Sequence, residues 1–190
     1  MTNDTNPLML FRTMIDNIDA AILSILFHRA QIINNILLYK NTQHIDDVIS
    51  LLRQSMLAEL IDYAESLGLN RQFSKDLFAI LYHYRQVMLP QDSQAELLIL
   101  FKSEKQLLND FNRTLKHVEM ALIALIAERM KIVTQVGDYK KAHHIPPLAK
   151  DRWRQVLESK KSIAVNLALN IHAIEVFYER IHNEALRIEE

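Results

Sequence analysis

The chain has 190 residues, 49% of them hydrophobic, with two Gly, four Pro, no Cys and a formal net charge of −1. The lack of Cys excludes disulfides, thiolate catalysis and zinc–sulfur centres, and the balanced charge carries no nucleic-acid footprint. With so few helix breakers among abundant Leu, Ile, Ala, Glu, Lys, Arg and Gln, the composition predicts an all-α protein.

The first segment, Met1 to Pro7, is polar and lacks the basic-then-apolar pattern of a signal peptide. No apolar run approaches the ~20 residues that span a bilayer. The expectation is a cytoplasmic protein with no membrane partner.

From residue 8 to about 40, Ile15, Ile18, Ile22, Ile25, Leu26, Ile32, Ile33, Ile36 and Leu37 recur at helical spacing without Gly or Pro. This predicts a helix of roughly 30 residues, ~45 Å long. Such a helix cannot bury its apolar face inside a unit of ~90 residues, so it needs a partner helix. Asn41 to His44 reads as a polar break. A second helix is expected over 47–66, stopped by Gly68 as a C-terminal cap, and a third over 71–88, ended by Pro90. The stretch 90–95 is the natural junction between two units, 1–92 and 93–190. The second unit predicts a long helix over 94–141, a break at His143-His144-Ile145-Pro146-Pro147, and helices over 150–166 and 170–188.

The two units are copies. At a constant offset of 100 residues, Arg29 pairs with Arg129, Ile32 with Ile132, Tyr39 with Tyr139, Lys40 with Lys140, His44 with His144, Ala64 with Ala164 and Asn70 with Asn170. That unit is too long for a solenoid repeat and has the size of a small subunit. The simplest reading is a homodimer fused into one chain, its long helices packed as an intramolecular pseudo-dimer, with the protein itself a monomer.

Charges on the long helices carry the functional argument. Arg29 and Lys40 lie 11 residues apart, which places them on nearly one face, ~16 Å apart along the axis. Arg129 and Lys140 repeat this geometry, and Arg129 follows the apolar run Ala121 to Ala127. A single Lys or Arg ordinarily belongs to a solvated stripe, but both copies keep these cations. Arg12 precedes Arg29 by 17 residues, ~100° round the helix, and suits the other copy's pocket better than its own. Arg152 faces Leu52 across the repeat, and Glu189 faces Leu89. The second copy is polar where the first is apolar, so one copy reads as a site and the other as a filled-in site. The adjacent His143 and His144 have no carboxylate at ligand spacing beside them, so no metal is expected. Trp153 reads equally as pocket wall or core.

A long helix with Arg, Arg and Lys at spacings of 17 and 11, followed by two shorter helices, resembles the all-helical chorismate mutases. The specific matches are Asn6-Pro-Leu-Met-Leu-Phe-Arg12, Ala127-Glu-Arg129 and Val136-Gly-Asp-Tyr-Lys140. The resemblance implies two fused three-helix repeats, rearrangement of chorismate to prephenate without a cofactor, and a small-molecule dicarboxylate as the partner. It implies that Arg129 holds a substrate carboxylate, Lys140 donates to the breaking ether oxygen, and Arg152 lies near the substrate hydroxyl. Glu189 stands where the family usually has Gln, and Arg12 is the Arg borrowed from the other copy. The other pocket keeps Arg29 and Lys40, but Leu52, Arg85 and Leu89 replace polar positions, so it is expected to be dead and partly plugged by its own side chains. In the surviving site Trp153 replaces the usual acid and Ala185 the usual Ser. Two alternatives stay open: an isochorismate-pyruvate lyase of the same fold, and a non-catalytic ligand-sensing or scaffolding descendant.

Overall fold

The computed structural model describes residues 6–43, 49–85, 104–145 and 150–189, without the side chains at 38, 40–43, 49–55, 104–108 and 150–152. Among them it has six helices: α1 (Pro7–Gln43), α2 (Ile49–Ser66), α3 (Arg71–His83), α4 (Glu104–Ala142), α5 (Lys150–Asn166) and α6 (Ile171–Glu189). No helix of the described residues is long and apolar enough to cross a membrane.

Two boundaries differ from the sequence reading. α1 has 37 residues, about 55 Å, because Asn41, Thr42 and Gln43 continue the helix instead of breaking it. α3 stops at His83, where the N–H of Tyr84 caps the carbonyl of Ile80, well before Pro90. The expected junction at 90–95 lies outside the described residues.

The long helices α1 and α4 form the spine. Arg29 meets Glu119 while Arg129 meets Asp19, so the helices run antiparallel and each contact is repeated by its 100-residue counterpart. This is the self-complementary pattern of a two-fold interface, enclosed in one chain. Ile22, Leu23, Leu26 and Ala30 are buried with their counterparts Leu122, Ile123, Ile126 and Met130 in one core. Each half also lays its second helix on the other half's long helix, α2 on α4 and α5 on α1, while α3 packs on α6. The apolar face that a single unit cannot cover is thus covered by the other copy.

The turns repeat too. Asn70 and Asn170 cap α3 and α6, each side-chain oxygen accepting from a backbone N–H three residues on, at 2.9 Å from both Phe73 and Ala173. Gly68 ends α2 with φ 87°, and Ala168 does the same after α5 with φ 53°. The N–H groups of Leu69 and Leu169 return to the carbonyls of Ala64 and Ala164, as a left-handed helix ending requires.

The halves diverge at the third helix. α6 continues to Glu189 and packs along α4, whereas no α1–α3 packing of that kind occurs among the described residues. Gly137 permits the close approach of α4 and α6, since a Cβ there would lie 3.3 Å from the Cα of Glu189.

Candidate active site

Each half holds a pocket, and the two share six lining positions at the repeat offset. Arg29, Ile33, Met56, Tyr82, Arg85 and Leu115 line the first; Arg129, Val133, Val156, His182, Ala185 and Ile15 line the second. Leu115 and Ile15 come from the opposite half, so both pockets are composite.

The second-half pocket gathers most of the polar residues singled out in the sequence. Arg12, from the first half, lines it together with Arg129, Lys140, Trp153 and Glu189. The side chain of Arg152 lies outside the described residues. Lys140 Nζ donates to Glu189 Oε2 at 2.5 Å, with both side chains nearly buried. Trp153 is a pocket wall that also packs on the core: its ring stacks on His182, centroids 3.8 Å apart and 6° from parallel. Burial, then the nearby Arg129 charge, holds the His182 imidazole below its ordinary pKa, which favours the neutral ring at pH 7.

Beneath Arg129 lies a charge cluster that the sequence reading did not assemble. Arg129 Nε donates to Asp19 at 2.8 Å. Lys160, 1% exposed, bridges Asp16 at 2.8 Å and Asp19 at 3.2 Å. The Tyr178 hydroxyl donates to the backbone carbonyl of Asp19 at 3.0 Å, and its own pKa is raised well above the usual value, first by burial and then by the Asp19 charge. One donor of the cluster remains unspent: Arg129 Nη1 is buried without a hydrogen-bond partner. A buried charged donor left unpaired is costly.

The first-half pocket is its inverse. Arg29 Nε donates to Glu119 at 2.9 Å and Arg29 Nη1 reaches the Leu81 carbonyl at 3.5 Å. Leu60 stands where the second half has Lys160. The side chains of Lys40 and Leu52, and the whole of Leu89, lie outside the described residues. Arg85 lines this pocket as expected, while the expected plugging by Leu52 and Leu89 falls on side chains outside the described residues. The described residues leave a cavity of about 370 Å³ here, against about 100 Å³ in the second half. Arg85 folds back on its own helix, its guanidinium 3.9 Å above the Tyr82 ring and bonded to the Tyr82 carbonyl. In the second half, Trp153, His182 and the Lys140–Glu189 pair occupy the corresponding space.

Asp19 and Glu119 carried a signal in the sequence: an acid kept at the repeat offset, ten residues before each Arg. Lys160 carried the same signal as Arg152, a polar residue where the first copy is apolar. His182 carried none, because its stacking on Trp153 is purely tertiary.

The chorismate mutase type II family profile matches the chain twice, at residues 11–84 and 113–190. No curated protein and no solved structure matches.

Proposed function

The chain belongs to the chorismate mutase type II family, and on that premise we propose that it rearranges chorismate to prephenate in one composite site, in the second-half pocket. The unspent buried donor of Arg129 carries this reading. The reaction is intramolecular and needs no cofactor. The protein holds the reactive conformer and stabilises charge developing on the ether oxygen. Arg129 and Arg12 bind substrate carboxylates, as guanidinium groups do in forked pairs, and Arg152 supports the hydroxyl end. Asp19 holds the guanidinium of Arg129 by its Nε edge, leaving Nη1 for substrate. Lys140 turns from Glu189 to the ether oxygen. Glu189 donates there only when protonated, so Glu189→Gln supplies that donor at every pH and raises kcat/KM at neutral pH.

One observation favours the non-catalytic alternative. At about 100 Å³ the pocket is smaller than the ~300 Å³ from which ligand sites usually start, and Lys140 is already neutralised by Glu189. Substrate has to part that pair to enter.

The test is to mix the protein with chorismate and follow its loss and the appearance of prephenate, beside Arg129→Ala. Prephenate from the parent and none from the variant is the expected result. Pyruvate released from isochorismate, with chorismate untouched, identifies a lyase. Silence on both substrates establishes the non-catalytic reading.

A further inference from the structure

The larger cavity belongs to the half that lost its polar residues. Its walls are Ile33, Met56, Leu57, Leu60, Phe78 and Leu115, an apolar lining where the second half presents charge. At about 370 Å³ it falls within the range of small-molecule sites, and a dry apolar cavity of ~150 Å³ already accepts benzene. Arg29 gives Nε to Glu119 and Nη1 to the Leu81 carbonyl, and unlike Arg129 it holds no buried N–H without a partner. Two other cations line the pocket, Lys75 and Arg85. Lys75 is exposed, and Arg85 keeps its charge while lying over Tyr82.

We propose that the first-half pocket is a second ligand site, for an apolar monocarboxylate about the size of a phenyl ring with a short chain. The ring enters between Phe78, Met56 and Leu60, where burial of apolar surface drives binding. The carboxylate stays at the mouth, beside the exposed Lys75. A dicarboxylate is disfavoured, because its second charge would have to enter the apolar chamber without a partner. The two halves then divide the work: the second takes a polar dianion and the first an apolar monoanion. The proposal stands whether or not the second half turns over substrate.

The experiment is an amide NMR titration of the full chain with 3-phenylpropionate, with 3-phenyl-1-propanol as the uncharged control. The acid is expected to saturate with a Kd below ~1 mM, shifting amides of α2 and α3. The alcohol binds about tenfold more weakly. Lys75→Glu, on an exposed position that leaves folding intact, weakens the acid about three- to tenfold and the alcohol little. Ala79→Phe, which fills the cavity from its wall, abolishes both. Lys140→Ala, which alters only the other pocket, binds the acid as the parent does. The proposal is overturned if no saturable shift appears, if the shifts centre on Arg129 and His182, or if acid and alcohol bind equally and Lys75→Glu changes nothing.

Discussion

The two halves of this chain began with one plan and now differ most where each long-helix Arg meets its pocket. Arg129 and Arg29 are equally buried, each 5% exposed, and each is held by an acid from the opposite half. Around Arg129 the sequence added Lys160, Trp153, His182 and Glu189, and the pocket became small and charged. Around Arg29 it placed Leu60, Tyr82 and Met56, and the pocket became wide and apolar. The lesson is that a buried Arg does not make an anion site by itself. On the proposed reading the donor left over after structural pairing makes it, and of these two described side chains Arg129 is the one with a donor buried and unspent.

The largest expected effect is catalytic. Lys140→Ala should lower kcat for chorismate by about 10²–10³-fold, the usual loss when one transition-state donor is removed, while Lys40→Ala changes it less than threefold. Steady-state rates of the two variants decide this; equal losses would mean that both halves are active.

Next comes the buried charge. Asp19→Ala strands Arg129, leaves Lys160 with Asp16 alone, and should cost about 3–5 kcal/mol of stability. Glu119→Ala strands only Arg29 and should cost less. Urea unfolding of both variants checks the order, and a reversed order would remove the cluster from the account.

The turns offer a smaller and more symmetrical comparison. Ala168 holds φ 53° where Gly68 holds φ 87°. A residue with a Cβ is strained in that region by about 1 kcal/mol. Ala168→Gly should therefore stabilise and Gly68→Ala destabilise, by similar amounts. Thermal melts that move both variants in one direction would contradict this.

The smallest effect is the pH response of His182. Its folded pKa lies below the ordinary ~6.5, so the native state binds this proton less readily than the unfolded chain. Stability should therefore fall as pH drops from about 6.5 towards the lower folded value. The half-exposed ring keeps the effect slight. His182→Asn should flatten this part of the profile of Tm against pH between 7 and 5.

Much of this comparison was legible before any coordinates. The repeat offset, the scarcity of Gly and Pro and the length of α1 fixed six helices and required cross-packing of the halves. The same offset set Arg152 against Leu52 and Glu189 against Leu89, which located the polar half. Three features were not legible. The end of α3 at His83 depends on how far that helix finds a packing partner, which composition does not state. The placement of Arg85, folded back onto Tyr82, is a rotamer choice. The Trp153–His182 stack joins residues 29 positions apart on two helices, and their counterparts in the repeat, Arg53 and Tyr82, give no hint of a stacked pair. Substitution patterns identify which half changed; they do not tell whether the change filled the space or emptied it.

The central claim is that one chain carries one dicarboxylate site, in its second half. Isothermal titration with a stable dicarboxylate analogue of the chorismate rearrangement transition state tests it most directly. The account predicts one equivalent bound per chain, lost in Arg129→Ala and kept in Arg29→Ala. Two equivalents, or binding that survives Arg129→Ala and disappears with Arg29→Ala, would contradict it.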